Sequence, residues 1–337
     1  MDKKALEQVA QQLVADGKGI LAADESTGTI AKRFKDLGVE NTEANRRDYR
    51  HLLFTAPSVA KSVSGVILYD ETLRQKAADG TPLSQVLLSQ GILPGIKVDT
   101  GAKDMPLHAG EKITEGLDGL SERLKEYHAL GARFTKWRAV ITIGAGLPTQ
   151  ANLHANAHAL ARYAALAQEA GLVPIVEPEV LMDGDNTIER CEEVTAAAWR
   201  EVFHELQLMG VHLPGILLKP NMVVPGKKCP VQAKPAEVAE RTVRLLRAHV
   251  PPAVPGIVFL SGGQSPEQAT EHLRIMNTLG PQPWKLTFSY GRALQEPAMK
   301  AWVGKAGNVK AAQEAFARVA TANAAAARGK SVAEIRA

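Results

Sequence analysis

The chain has 337 residues, 45% of them hydrophobic, and its 40 Lys and Arg stand against 36 Asp and Glu for a formal charge of +4. That composition suits a globular protein with an ample core, and it excludes a disordered chain; two cysteines, Cys191 and Cys229, give neither a disulfide framework nor metal-ligand spacing. Basic residues are scattered among acidic ones instead of forming a stripe, which disfavours nucleic-acid binding, and no segment approaches the roughly 20 apolar residues of a membrane span.

Met1-Asp-Lys-Lys-Ala-Leu-Glu-Gln-Val-Ala mixes charges of both signs on an amphipathic helical pattern and has no apolar leader core. With the unpaired cysteines, it predicts a cytoplasmic setting. The first apolar run, Gly19-Ile-Leu-Ala-Ala-Asp24, ends on a carboxylate. Its turn into the next segment, Asp-Glu-Ser-Thr-Gly, lacks the glycine fingerprint of dinucleotide folds. Gly65-Val-Ile-Leu-Tyr-Asp70, Pro94-Gly-Ile-Lys97-Val-Asp99 and Phe134-Thr-Lys136-Trp-Arg138 follow in the same style.

Helical spacing then runs from Asn156 to Ala170. Just ahead of it His154 and His158 stand at i and i+4, without the glutamate of a metalloprotease motif and without a third ligand nearby in sequence. They are expected to be a partly exposed pair, with no metal bound. Val173-Pro-Ile-Val-Glu177-Pro-Glu179 and Gly215-Ile-Leu-Leu-Lys219 come next, and a helical stretch from Ala236 to His249 separates them from Gly256-Ile-Val-Phe-Leu-Ser261 and Lys285-Leu-Thr-Phe-Ser289.

Eight buried strands alternating with helices predict parallel pairing through helical crossovers, and so a closed (β/α)8 barrel. No linker divides the sequence, so residues 1–337 are expected to form one domain, with an N-terminal helix and a helical extension over 305–337. In such a barrel the chemistry gathers at the carboxyl ends of the strands, where the polar residues sit.

Strand alternation puts Glu177 and Glu179 on one face of their strand, and likewise Lys136 and Arg138 on one face of theirs, so that both pairs can point into the barrel mouth together. Lys136 and Lys219 are expected to face each other. A lysine beside a second cation in a water-poor site loses basicity and becomes a nucleophile for carbonyl carbon. Imine formation also needs an acid and a base, for which Glu177, Glu179 and Asp24 are candidates once burial raises their pKa. The structural alternative for Glu177 and Glu179 is plain pairing with Lys136 and Arg138. Ser261-Gly262-Gly263-Gln-Ser265-Pro266 supplies free backbone N–H groups before a helix start, and Arg292 follows the eighth strand, a common phosphate-binding position in barrels.

With these residues in view the sequence resembles the class I fructose-bisphosphate aldolases, from about Gly17 to about Lys330. The segments that carry the resemblance are Gly19-Ile-Leu-Ala-Ala-Asp-Glu-Ser-Thr-Gly, Gly95-Ile-Lys-Val-Asp, Lys136-Trp-Arg, Val176-Glu-Pro-Glu, Leu217-Leu-Lys-Pro-Asn-Met-Val, Phe259-Leu-Ser-Gly-Gly-Gln-Ser and Phe288-Ser-Tyr-Gly-Arg-Ala-Leu-Gln. The resemblance implies a Schiff base between Lys219 and the ketose C2 carbonyl. It implies Glu177 as general acid and base with Glu179 in support, Asp24 at the C4 hydroxyl, and Lys136 lowering the pKa of Lys219. It implies no metal and no cofactor. Ser261, Gly262, Gly263, Ser289 and Arg292 would hold the one-phosphate, and Ser26, Thr29, Arg33, Lys97, Arg46 and Arg138 the six-phosphate end. A sugar phosphate is then the expected partner, in a homotetramer.

Two departures stand out. Serine is usual in the family where this sequence has Thr29, and the hydroxyl survives the exchange. Animal members end in a longer tail with a tyrosine implicated in proton transfer, whereas this sequence ends at Ile335-Arg336-Ala337, which leaves the source of the final proton open. Rival readings are a metal-dependent aldolase, a transaldolase-type imine enzyme, and a non-catalytic barrel scaffold that binds acidic partners.

Overall fold

The computed structural model describes residues 1–336, with side chains through Glu334. Ala337, the last residue of the expected 305–337 extension, and the side chains of Ile335 and Arg336 therefore lie outside the described residues.

All eight apolar runs become the strands of one closed parallel barrel: β1 (Gly19–Ala23), β2 (Val63–Leu68), β3 (Leu93–Lys97), β6 (Phe134–Ile141), β7 (Val173–Val180), β8 (Leu217–Leu218), β9 (Gly256–Phe259) and β10 (Lys285–Tyr290). Neighbours run β1-β10-β9-β8-β7-β6-β3-β2 around the ring, with helices in the crossovers. β8 is short because Pro220 has no N–H to continue the ladder. Lys219 is still tied to β7, donating its backbone N–H to the Val176 carbonyl at 2.8 Å.

One element was not expected from the sequence. An antiparallel hairpin, β4 (Gly101–Asp104) with β5 (Lys112–Glu115), projects after β3. Its strands are short, mostly solvent-facing and charged, so they carry no apolar run to signal them.

The barrel floor explains why the polar groups collect at the other end. The helix Lys3–Leu13, capped by the Asp2 side chain, inserts Leu6, Ala10 and Leu13 against Ile20, Ile67, Leu93, Phe134, Ile175, Leu217 and Val258. These side chains are almost wholly buried, each contributing about 1.5–3 kcal/mol of transfer free energy for the larger ones. Phe134 fills the centre only because β2 and β3 offer glycines there: a Cβ on Gly95 would lie 2.3 Å from its ring and one on Gly65 2.9 Å. Above this apolar floor, the next inward positions are Asp24, Lys97, Lys136, Glu177, Lys219 and Ser289, and they open on the mouth.

Three helices, Arg292–Trp302, Val309–Ala326 and Val332–Arg336, follow β10. Phe34, Tyr49 and Trp302 meet with ring centroids 5.3–5.9 Å apart, tying the first of these helices to the early crossover.

Candidate active site

The cavity at the carboxyl ends of the strands has a volume of about 580 Å³, within the range of small-molecule sites. Lys136, Glu177 and Lys219 are each 3–4% exposed at its base. The Lys219 ammonium lies 3.2 Å from Glu177 Oε1, the Lys136 ammonium 3.4 Å from Glu177 Oε2, and Lys136 is also 2.7 Å from Asp24 Oδ2. Four groups therefore form one chain, Lys219, Glu177, Lys136, Asp24, in which charges alternate.

This ordering corrects two expectations. The two ammonium groups do not confront each other bare, because the Glu177 carboxylate touches both and offsets their repulsion. Asp24 also moves against expectation. Burial opposes its ionisation, but attraction by Lys136, Lys219 and Lys97 outweighs that cost and brings its pKa down to about 2. Lys136 responds in the opposite sense: burial disfavours its charge, yet Asp24, Glu177 and Asp99 together raise its pKa above the ordinary lysine value.

Glu179 pairs with the Arg138 guanidinium, the structural alternative read from the sequence, so this pair walls the cavity with little net charge. Asp99 organises the same wall. Its carboxylate takes the Lys97 ammonium and the backbone N–H groups of Gly101 and Arg138. Asn221, two residues after Lys219, accepts from the Val180 N–H at 3.0 Å and so fixes the end of β7 beside β8.

Ser261-Gly262-Gly263-Gln264 makes a tight turn closed by the Gln264 N–H on the Ser261 carbonyl at 2.9 Å. Both glycines have positive φ, +55° and +85°, which a residue with a side chain adopts only under strain. Ser265 then caps the helix Pro266–Met276 in a full capping box with Gln268. Ser289 Oγ is buried beside this loop with no hydrogen-bond partner among the described residues. Such a group is suited to a ligand.

Ser26 caps the helix Thr27–Lys35, and its hydroxyl lies 3.1 Å from that of Thr29 at the cavity rim. Arg33 reaches the rim held by Glu25, which also receives the Gln295 amide. Thr29 and Arg33 share a neighbouring cleft of about 420 Å³ with Arg292, so Arg292 adjoins both sets of expected phosphate ligands. Arg46 does not join them. It sits on the helix Glu43–Phe54 with its guanidinium committed to Glu71 and Asn41, and it does not line the cavity. Every other expected site residue does line it.

Sequence reasoning missed Lys227. The loop that follows β8 folds back on the β7 loop through Lys227 N–H to the Met182 carbonyl, 2.7 Å, and Lys228 N–H to the Gly184 carbonyl, 2.9 Å. The Lys227 ammonium then pairs with Asp183 and hangs over Gly263, where a Cβ would stand 2.5 Å from it.

His272 supports the glycine turn from behind, with Nδ1 donating to Gln264 Oε1 at 2.6 Å. Burial lowers its pKa to about 4, despite the opposing pull of Glu271. A histidine depressed from 6.5 to about 4 contributes stability that is present above pH 6.5 and lost as pH falls through 4. We expect up to about 3 kcal/mol of unfolding free energy to disappear between those limits, and His272→Gln to flatten that dependence in denaturant melts.

Comparison with known proteins agrees with this architecture. Residues 5–337 match the family model described as glycolytic fructose-bisphosphate aldolase class-I. A Xanthomonas campestris protein named "Probable fructose-bisphosphate aldolase class 1" is 56% identical over 98% of this chain and 99% of its own length. Fructose-bisphosphate aldolase 6, cytosolic, of Arabidopsis thaliana is 56% identical over 89% of this chain and 84% of its own. The solved fructose-bisphosphate aldolase of Plasmodium falciparum, crystallised with TRAP and a small-molecule inhibitor, superposes with a TM-score of 0.96 at 52% identity, covering 98% of this chain and 95% of that one. A barrel whose mouth gathers the family's motif residues into one cavity, matched along nearly its whole length, belongs to the class I fructose-bisphosphate aldolase family.

Proposed function

We propose that the protein reversibly cleaves fructose 1,6-bisphosphate to dihydroxyacetone phosphate and glyceraldehyde 3-phosphate through an imine on Lys219, as a step of glycolysis and gluconeogenesis. The observation that carries this reading is the buried Lys219, Glu177, Lys136, Asp24 chain beneath a rim of cations and glycine N–H groups.

Glu177, 3.2 Å from the Lys219 ammonium, takes its proton and frees the amine to attack C2. The same carboxyl can then protonate the carbinolamine hydroxyl as it departs as water, with Glu179 in support. In the resulting iminium ion, electrons of the C3–C4 bond flow into the imine as that bond breaks. Asp24, ionised at neutral pH, receives the C4 hydroxyl proton. A carboxylate held so strongly acidic is a weak base. Lys136, turning toward the substrate hydroxyls, relieves part of that hold at the moment the base is needed.

Ser261, Gly262, Gly263, Ser289 and Arg292 suit the one-phosphate, and Ser26, Thr29, Arg33, Lys97 and Arg138 the other end. We take the chain as one domain acting in a homotetramer, in the cytosol by likeness to the Arabidopsis relative named cytosolic. Release of dihydroxyacetone phosphate from fructose 1,6-bisphosphate, followed in a coupled assay, tests the reading. Turnover only when an acceptor aldose is added would instead support three-carbon transfer.

Lys227 gives this reading a finer test. Lys227→Met is expected to raise KM by up to about tenfold with kcat nearly unchanged, the effect of losing one charge-assisted contact worth about 1 kcal/mol. A change in kcat with KM preserved would remove Lys227 from substrate binding.

A further inference from the structure

We propose that His154, His158, Glu201 and Glu205 form a binding site for a divalent transition-metal ion, zinc first among them, on the outside of the barrel. The site lies between the helices Gln150–Glu169 and Ile188–Leu208, which pack side by side. Spacing along the sequence offers only the two histidines. The fold supplies the missing ligands from 47 residues away, with Glu201 and Glu205 also at i and i+4 and therefore on one helix face.

Three of the four donors, from His154, Glu201 and Glu205, already converge, and His158 joins them through Glu205. His154 Nδ1 lies 3.1 Å from Glu201 Oε1 and 3.2 Å from Glu205 Oε1, and His158 Nδ1 lies 2.9 Å from Glu205 Oε2. Ligand atoms of His154, Glu201 and Glu205 all fall within 4.8 Å of one another. Tetrahedral zinc with bonds of about 2.1 Å sets its ligands about 3.4 Å apart, so small rotamer adjustments close the shell. Both imidazoles are stacked, their centroids 6.1 Å apart, and the Gln150 amide holds the far oxygen of Glu201 at 3.1 Å.

Charge argues for an ion here. The Glu205 side chain is only 5% exposed, and among the described residues neither it nor Glu201 forms an ion pair with a Lys or Arg, the two histidines being their partners. Where the imidazoles are neutral, two carboxylates stand together, one of them buried, without a permanent counter-charge. A divalent cation neutralises both. On binding, each imidazole moves its proton from Nδ1 to Nε2 and gives the freed lone pair to the metal. Two nitrogens with two carboxylate oxygens suit zinc or copper and not magnesium or calcium, which take oxygen shells. Side-chain exposures of 58% for His154 and 45% for His158 leave a path of entry.

None of the four residues lines the catalytic cavity, so the ion would staple two crossover helices and take no part in aldol chemistry. Isothermal titration of metal-free protein with zinc chloride at pH 7 tests this. We expect one ion per chain at a dissociation constant of about 10 μM, weakened about tenfold or more by His158→Ala and by Glu201→Gln. Circular dichroism and aldol cleavage check that each variant folds, and the isosteric Glu201→Gln keeps the test open should His158→Ala fail to fold. No saturable binding below about 1 mM would overturn the site, leaving only proton-dependent pairs. Equal binding by both variants would also overturn it, placing zinc at other carboxylates.

Discussion

Lys219→Met is expected to lower kcat for fructose 1,6-bisphosphate cleavage by about 10⁴-fold or more, because the other amines lining the cavity are tied to carboxylates, Lys97 to Asp99, Lys136 to Asp24 and Lys227 to Asp183. Among the described residues Lys136 is the only other buried amine at the base, and its ammonium is held between Asp24 and Glu177, which raise its pKa and keep it protonated. Methionine retains the apolar stem in a position 4% exposed, and Glu177 keeps Lys136 as a counter-charge, so the barrel should fold. Coupled-assay kinetics together with circular dichroism make the measurement. Folded Lys219→Met that turns over within tenfold of wild type would exclude an imine on this residue.

Lys136→Met should be nearly as damaging, and for two separable reasons. Cleavage should fall by about 10³-fold or more, since the carboxylate at C4 and the acid at C2 both lean on this one ammonium. Stability should fall too, by roughly 3–5 kcal/mol, because Asp24 would be left as a buried carboxylate without its nearest cation. The pH dependence distinguishes this from simple loss of packing. Asp24 has a folded pKa of about 2 against 3.8 for the free group, so it contributes stability above pH 3.8 that is lost as pH falls through 2. That contribution, about 2 kcal/mol, should vanish in Lys136→Met. Urea melts at pH 4 and pH 2 should therefore show the variant losing less stability between the two than wild type.

The barrel was legible because its strands are buried on both faces and so read as unbroken apolar runs, each stopped by a polar residue at the mouth. Lys219, Glu177, Lys136 and Asp24 stood out for the same reason: a charge at the end of a buried strand needs a purpose. What stayed hidden depends on contacts between segments far apart in sequence. Arg46 has the look of a phosphate ligand until Glu71 is seen beside it. Lys227 lies in a loop without pattern, and only its ladder to Met182 and Gly184 carries it to the rim. The sequence also places Lys136 and Lys219 near each other without revealing that Glu177 touches both, which changes the electrostatics from repulsion to alternation. His154 and His158 are the same case outside the barrel, since their acidic partners are visible only once two helices pack.

Trapping the intermediate tests the central claim most directly. The protein would be incubated with dihydroxyacetone phosphate, reduced with borohydride in the presence and absence of a chelator, and mapped by mass spectrometry. We predict a reduced adduct on Lys219 in equal yield under both conditions. Failure to form any adduct, with cleavage abolished by the chelator, would contradict imine catalysis and give the reaction to a metal-bound enediolate.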